Sequence, residues 1–342
     1  MQNNLTKNLF LLSLMGGTLI SISSNSWLGA WMGLEINLLS FIPLMSSSKN
    51  ILSTEASLKY FLVQALASTI LLFSIILMHL SSSMTLFITN EMFQIMISST
   101  LMLKMGAAPL HFWFPGVMEG LSWMNSLVLM TWQKIAPLML TSYLMKISNF
   151  TFMIIILSVM IGSIGGVNQT SLRKIMAYSS INHLGWMIAA MISSENMWMM
   201  YFMIYSMLST TLVLMFYMFK TFHINQMFMI MNNNTTMKFS MFLCLLSLGG
   251  LPPFLGFMPK WMVIQYMTEN NLIMLIVLMV TMTLITLFYY LRICYAAFLL
   301  THSEMKWNMK TNYNNSIIII TMMLTMMSTF GLMVCSVMFN MI

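Results

Sequence analysis

Residues 123–145 read WMNSLVLMTWQKIAPLMLTSYLM and carry one formal charge, Lys134, close to the middle of the run. A helix rises about 1.5 Å per residue, so roughly 20 apolar residues cross the hydrocarbon core of a bilayer. A charged side chain at the bilayer centre costs roughly 3 kcal/mol even on lenient insertion scales. The stretch therefore predicts a membrane-spanning helix whose central lysine is kept for a function.

The rest of the chain has the same character. Of its 342 residues, 59% are hydrophobic and 6% are charged, and the mean hydropathy is +0.85. No polar surface could cover so much apolar mass in water, which excludes a soluble protein. We therefore predict an all-α integral membrane protein, a single membrane domain covering residues 1–342, and not a barrel.

Windows of about 20 residues between polar breaks give eleven candidate spans. They are residues 5–22, 26–45, 56–79, 92–114, 123–145, 150–167, 175–192, 197–219, 239–267, 271–292 and 316–338.

The basic residues of the connections fall mainly on one side of the membrane. With eleven spans, the side of the N-terminus collects Lys7, Lys49, Arg173, Lys174, Lys220, Lys238, Arg292, Lys306 and Lys310. The other side collects only Lys146. The positive-inside rule then places the N-terminus on the matrix or cytoplasmic side and the C-terminus opposite. This asymmetry accounts for most of the net charge of +7, and no motif predicts a nucleic-acid partner.

Four further lysines lie inside predicted spans. Lys59 belongs to the first turn of its predicted helix, where it could reach the surface, which leaves Lys104, Lys134 and Lys260 with the central Glu35. Burial favours the neutral form of such groups, whereas an opposite charge favours the charged form, so changing neighbours can make them exchange protons. These four residues are the predicted proton-translocation site.

A structural set of ion pairs between helices is the alternative reading. Three lysines cannot all be neutralised by one glutamate, and this imbalance favours function. Other titratable groups are weaker candidates. His111 and His183 are possible relay residues, although a membrane histidine can also serve as a hydrogen bonder between helices. Glu119 could cap a helix or face the matrix side.

Two predicted spans are interrupted. Residues 104–109 read KMGAAP, with Lys104 just before Pro109, and residues 249–253 read GGLPP, with Pro252 and Pro253 shortly before Lys260. Proline removes an amide donor and frees a carbonyl, which in lipid must be satisfied by protein or trapped water. We therefore predict two broken helices, a feature typical of inverted-repeat transporters.

The cysteines offer no cofactor site. Cys244, Cys294 and Cys335 are single residues without the pairing of zinc or iron–sulfur sites. They are predicted to pack as small apolar residues, with no metal bound by the chain. No G-x-G-x-x-G sequence or Walker loop is present either.

Several motifs together resemble a known family. They are residues 25–35, NSWLGAWMGLE, residues 109–115, PLHFWFP, and residues 249–257, GGLPPFLGF, followed by Pro259-Lys260-Trp261. They closely resemble the chain 2 family of NADH-ubiquinone oxidoreductase, membrane subunits of respiratory complex I. The 47 methionines and the absence of aspartate look like an arthropod version.

The resemblance implies an antiporter-like subunit that couples quinone reduction to proton pumping. It implies that Glu35 modulates Lys104, that Lys134 relays protons, and that Lys260 exchanges them with one aqueous side. The chain would be part of a proton-translocating NADH:ubiquinone reductase but carry no redox chemistry. NADH, FMN, iron–sulfur clusters and ubiquinone would be used by the whole complex, and none would be bound by this chain.

The resemblance also implies partners and a location. The partners would be other membrane-arm and accessory subunits, with lipids around them. The location would be the mitochondrial inner membrane, with the N-terminus on the matrix side and the C-terminus on the intermembrane-space side.

Two other functions are kept open. A stand-alone cation/proton antiporter would also suit broken helices, but hard cations such as sodium take oxygen ligands and this chain has no aspartate. A passive scaffold that joins neighbouring subunits is the third reading.

Overall fold

The computed structural model describes residues 2–47, 50–83, 90–231, 235–299 and 315–341. It describes their side chains except at 2–4, 81–83, 90, 228–231, 235, 296–299, 315 and 334–341. The helices are α1 (Gln2–Ser23), α2 (Trp27–Met45), α3 (Ile51–Ser83), α4 (Asn90–Met105), α5 (Trp113–Gly120), α6 (Trp123–Met130), α7 (Trp132–Ser142), α8 (Asn149–Val167), α9 (Leu172–Ser193), α10 (Glu195–Phe219), α11 (Ile224–Met231), α12 (Thr235–Gly249), α13 (Phe257–Glu269), α14 (Ile273–Leu299) and α15 (Asn315–Met341).

The predicted all-α membrane fold is confirmed. Within the described ranges no strand is formed, and eight helices are long and apolar enough to cross a membrane. These eight are α1, α2, α3, α8, α9, α10, α14 and α15. Each coincides with one predicted span. The count of eleven spans stays a prediction.

The other three predicted spans are each divided into two helices. Residues 92–114 include α4 and the start of α5, residues 123–145 include α6 and α7, and residues 239–267 include most of α12 and α13. The interruptions in the first and third of these spans are the two predicted breaks. The one between α6 and α7 was not predicted.

Some sequence predictions concern residues beyond these ranges or need correction. Lys49, Lys306, Lys310 and the side chain of Cys335 lie outside what the structure describes. Lys59 was wrongly placed in a first helical turn, because α3 already begins at Ile51. Its side chain is nevertheless exposed.

The chain divides into two compact units, Met1–Ile154 and Ile155–Ile342, and the division falls inside α8. The single domain covering residues 1–342 therefore stays a prediction. In the first unit, the core is formed by buried residues from α2, α3, α4 and α7. They are Ala30, Leu34, Leu71, Ile75, Ile97, Leu101, Ala136 and Leu140.

One face of α1 is apolar and exposed. Leu5, Leu9, Leu12 and Leu19 recur at helical spacing and are all at least 65% exposed. In water such a row of leucines would be unfavourable, whereas in a bilayer it is the expected outer surface.

Glycines bring α1 and α2 close together. A Cβ atom on Gly33 would lie 2.5 Å from the Ser21 nitrogen, and one on Gly17 would lie 2.9 Å from the Asn37 nitrogen. Small residues at such positions let membrane helices pack backbone against backbone. The N-terminus of α2 is fixed by Ser26, whose Oγ accepts a hydrogen bond of 3.2 Å from the Gly29 amide.

In the second unit, α9 is the central helix. Of its most apolar 18-residue window, 89% is buried, and the helix packs against α10, α13 and α14. The hydroxyls of two buried serines are paired within the helix, since Ser179 and Ser180 each donate a bond of 2.8 Å to the carbonyl three residues earlier. These two hydroxyls are therefore paired although the helix is buried.

The close packing of α1 against α2 predicts that alanine substitutions at two glycines differ in their effect on stability. Gly33→Ala should destabilise the protein by about 1–3 kcal/mol, the usual range for overpacking, because the new methyl meets the backbone of Ser21. Gly16→Ala should not, since a Cβ at Gly16 meets nothing within 4 Å. Thermal unfolding of the detergent-solubilised protein measures both, and equal stabilities would contradict this packing.

Candidate functional site

The two predicted helix breaks have the same local structure. At the end of α4, Gly106 has φ +75°, and the amides of Gly106 and Ala107 donate to the carbonyls of Leu103 and Met102. At the end of α12, Gly250 has φ +80°, and the amides of Gly250 and Leu251 donate to Ser247 and Leu246. This is the Schellman ending, in which glycine takes the left-handed position at least cost.

The three prolines predicted to mark the breaks lie just after these glycines. Pro109 lies between α4 and α5, and Pro252 and Pro253 lie between α12 and α13. The Ala108–Pro109 and Pro252–Pro253 bonds are both cis. The second helix restarts at the same distance from the glycine in each unit, at Trp113 and at Phe257. The two units thus share a helix–break–helix motif.

Side chains satisfy the carbonyls at these breaks. Trp113 Nε1 donates to the Leu103 carbonyl at 3.0 Å, and Gln64 Nε2 donates to the Lys104 carbonyl at 3.2 Å. In the second unit, Lys260 Nζ donates to the Gly249 carbonyl at 2.8 Å. The protein itself therefore supplies partners that hydrocarbon cannot.

The third break, at Thr131 between α6 and α7, was missed in the sequence. The Thr131 amide and Oγ1 both donate to the Leu127 carbonyl, at 3.0 and 2.8 Å. A threonine hydroxyl bonded to the preceding turn bends a helix, and Pro137 removes a further amide donor from α7. Thr131 and Pro137 together were the sequence features from which this break could have been predicted.

Lys104 lies in the last turn of α4, where the negative end of the helix dipole stabilises a cation. Its side chain is 7% exposed. Glu35, half-buried on α2, interacts with it electrostatically. Glu35 and Lys104 therefore lie in the same unit, and the modulation of Lys104 by Glu35 stays a prediction.

Lys134 lies in the first turn of α7, directly after the Thr131 break. It is 1% exposed, and its Nζ lies 5.1 Å from the centroid of the Phe114 ring. An aromatic face at this distance attracts an ammonium group. The first residues of α5 thus contribute to the surroundings of a lysine on α7.

Lys104 and Lys134 line one small cavity. Its volume is about 20 Å³, and its polar lining consists of Asn37, Tyr60, Gln64, Lys104, Gln133 and Lys134. This is room for about one water molecule, which needs at least 10–15 Å³ and several polar partners. Two lysines from separate broken segments therefore meet at a single polar site, and Glu35 is not part of its wall.

The polar residues of this wall are bonded to one another. Gln133 Nε2 donates to Asn37 Oδ1 at 2.9 Å, and the Tyr60 hydroxyl donates a longer bond of 3.4 Å to Gln133 Oε1. None of these three residues was predicted from the sequence, because they come from α2, α3 and α7 and meet only in the folded unit.

In the second unit, Lys260 is surrounded by polar and aromatic groups. It is 5% exposed, and its Nζ lies 6.0 Å from the Trp186 ring centroid. His183, one turn before Trp186 on α9, shares a hydrogen bond of 2.9 Å between its Nδ1 and the Tyr201 hydroxyl. Lys260 and His183 thus belong to helices that pack together, α13 and α9.

The structure gives the positions of the other candidate site residues but assigns them no role. His111 lies in the break between α4 and α5, with Nδ1 3.2 Å from the Pro109 carbonyl oxygen. Glu119 lies in the last turn of α5. Cys244 and Cys294 are buried free thiols. Among the described residues, no three His, Cys, Asp or Glu side chains are grouped as metal ligands.

Comparison with known proteins defines the class of this fold. The family model for "NADH:quinone oxidoreductase/Mrp antiporter, TM" matches residues 24–286. A second, for "NADH dehydrogenase subunit 2 C-terminus", matches residues 287–339. Together they cover most of the chain, so the fold is that of an antiporter-like membrane domain.

Curated relatives give the particular family. NADH-ubiquinone oxidoreductase chain 2 of Anopheles gambiae is 56% identical over 336 residues, covering 98% of each chain. The proteins of the same name from Aedes aegypti and Locusta migratoria are 55% and 49% identical over 336 residues, again covering 98% of each chain. This chain belongs to the NADH-ubiquinone oxidoreductase chain 2 family.

Solved structures share the fold at low identity. A chain of respiratory complex I from Thermus thermophilus with bound aureothin matches with a TM-score of 0.82 and 20% identity, covering 95% of this chain and 78% of that chain. A chain of the Mrp complex from Dietzia sp. matches with a TM-score of 0.74 and 16% identity, covering 88% and 62%.

The break before α13 predicts that alanine substitutions at two adjacent glycines differ in their effect on stability. Gly250→Ala should cost about 1–2 kcal/mol, because a residue with a Cβ is strained at positive φ, and the new methyl would lie 2.9 Å from Lys260 Nζ. Gly249→Ala should be tolerated, since its methyl would meet no heavy atom closer than 3.6 Å. Thermal unfolding of the two variants compares them, and greater damage from Gly249→Ala would contradict the geometry.

Proposed function

We propose that this chain is a membrane subunit of respiratory complex I and that it moves protons through Lys104, Lys134 and Lys260, with Glu35 modulating Lys104. The observation that carries this proposal is the polar cavity shared by Lys104 and Lys134. A proton relay needs two titratable groups within reach of one water, and this cavity places two lysines at such a position.

The geometry supports an ordered transfer in the first unit. Glu35, on α2, interacts electrostatically with Lys104, and Lys104 and Lys134 both line the cavity. A change in the Glu35–Lys104 interaction would alter the proton affinity of Lys104 and favour transfer to or from Lys134. The energy would come from quinone reduction in other subunits and would reach these groups through altered contacts or hydration.

In the second unit, Lys260 would exchange protons with one aqueous side. Its ammonium is held by the Gly249 carbonyl at the break, so a shift of α12 against α13 would change its partners. His183, hydrogen-bonded to Tyr201 on the neighbouring helix α10, is a secondary relay candidate. His111 is a weaker one, since its ring lies against Phe112 in the break between α4 and α5.

The redox reaction would take place in partner subunits. NADH, FMN, iron–sulfur clusters and ubiquinone would be handled by the assembled enzyme, and the role of this chain in that enzyme is translocation. Its partners would be other membrane-arm and accessory subunits, with lipids against exposed faces such as that of α1. Nucleic acid has no place in this function.

The chain is a mitochondrial membrane protein, and we place it in the inner membrane as one polytopic domain. The N-terminus would face the matrix and the C-terminus the intermembrane space, because nine basic residues of the connections fall on the N-terminal side and one on the other.

A stand-alone cation/proton antiporter is the second candidate, favoured by the likeness to a chain of the Mrp complex. The charge composition opposes it. Hard cations bind through several oxygens, and the chain has no aspartate.

Replacement of Lys134 tests the proposal. Lys134→Met keeps the length of the side chain but removes its proton, so proton-coupled NADH oxidation should fall about tenfold or more while the complex still assembles. Lys59→Met, at an exposed lysine of α3, is the control and should pump normally.

Sealed membrane vesicles give the pumping rate, and a native gel stained for NADH dehydrogenase activity reports assembly. Full pumping by Lys134→Met would remove Lys134 from the relay. Loss of assembly with an unchanged proton-to-electron ratio in the residual complex would favour a scaffold. Migration of the parent chain alone as a small species would favour the stand-alone antiporter.

A further inference from the structure

The wall of the shared cavity contains uncharged polar residues that the lysine relay does not account for. Asn37 and Tyr60 are each 3% exposed, and Gln133 precedes Lys134 in the first turn of α7. The Tyr60 ring is fixed between Phe41 and Trp113, with centroids 5.4 and 5.8 Å away. Asn37 and Tyr60 are buried and Gln133 is partly buried, so these polar groups need hydrogen-bond partners to offset the cost of leaving water.

We infer, on the basis of the proton relay proposed above, that Gln133 and Asn37, with Tyr60 behind them, position the water that carries protons between Lys104 and Lys134. These three are positioning residues, because they hold the water and do not themselves take up the proton. Their hydrogen bonds join α2, α3 and α7, so they fix the distance between the walls of the cavity.

The chemistry of amides suits this task. A carboxamide has two N–H donors and a carbonyl with two lone pairs, and the bond from Gln133 to Asn37 uses one donor and one lone pair. The remaining groups can orient a water molecule. Amides do not titrate near neutral pH, so they bind water without trapping a charge, whereas a carboxylate in the same wall would hold a lysine permanently charged.

Protons and charge are conserved in the transfer between the two lysines and the water. The Lys104 ammonium gives one proton to the water, and the water gives one of its own protons to the neutral amine of Lys134. Afterwards Lys104 is neutral, Lys134 is an ammonium and the water is restored, so one positive charge has moved. The pair is reset when Lys134 passes its proton onward and Lys104 takes up a new one, since simple reversal would move no net charge.

A packing role alone is the competing explanation, since the amide pair also ties α2 to α7. The two explanations differ in what replacement changes. Loss of packing lowers the amount or thermal stability of the complex, whereas loss of water positioning slows proton transfer in a complex that is otherwise intact. A displacement of about 1 Å can slow a positioned reaction about a hundredfold.

The test uses near-isosteric variants in the assembled complex, in sealed vesicles. Gln133→Met and Asn37→Leu remove the amides, and Tyr60→Phe removes one hydroxyl. Coupled NADH oxidation should fall about tenfold in the two amide variants and less in Tyr60→Phe. The solvent deuterium isotope effect should increase, because proton transfer becomes rate-limiting. The double variant should be no slower than either amide variant, since both disturb the same water.

Met139→Leu is the matched control, because Met139 lies on the same helix as Gln133 and is not in the cavity wall. It should have the parental rate and isotope effect. Parental values in the assembled amide variants would overturn the inference. If both amide variants fail to assemble, Tyr60→Phe decides, and parental values there overturn it as well.

The relay and its positioning residues can fail separately. If Lys134→Met pumps normally, the proposed function itself is wrong. If Lys134→Met loses pumping while Gln133→Met and Asn37→Leu keep it, the relay stands and the positioning role is wrong.

Discussion

The structure depends on one constraint, which is that polar groups within hydrocarbon must find partners inside the protein. The chain breaks helices at Gly106, Thr131 and Gly250 and thereby exposes carbonyls that a continuous helix would satisfy. It then uses Trp113, Gln64 and Lys260 to bond them. The two glycine breaks are thus paired with side chains that bond the freed carbonyls, and at Gly250 that side chain is Lys260.

The same constraint explains where the lysines sit. Each of Lys104, Lys134 and Lys260 lies within a turn of a helix break, in the last turn of α4 or the first turn of α7 or α13. The last turn of α4 presents the negative end of a helix dipole, which favours a charged Lys104, whereas the first turns of α7 and α13 present free amide groups, which do not favour a charged lysine. A lysine at such a position can change partners with a small movement of one half-helix. We propose that the breaks allow the surroundings of these lysines to change as protons are taken up and released.

Much of this arrangement was predictable because short stretches of the sequence determine it. Long apolar runs predicted the membrane helices, and the pairing of glycine with proline at Gly106–Pro109 and Gly250–Pro253 predicted two breaks. The four charges at the centres of predicted spans stood out because charge is so rare in this chain. The length of α3, and hence the position of Lys59, was misjudged because the polar residues before residue 56 continue the helix.

Other features could not be predicted because they arise from contacts between distant segments. Asn37 and Gln133 are 96 residues apart in sequence, and neither is unusual in its own helix. Phe114 approaches Lys134 only because α5 and α7 pack in the same unit. The break at Thr131 depends on a hydroxyl bonded to the preceding turn. A threonine in a helix can form this bond but does not have to.

The central claim is that the buried lysines act in series as one proton path. The most direct measurement is the number of protons pumped per NADH oxidised in vesicles that carry complex I with Lys104→Met, with Lys260→Met, or with both. A series path predicts that each single variant loses pumping to the same extent and that the double variant is no worse. Normal pumping by either single variant, or additive losses in the double variant, would contradict it.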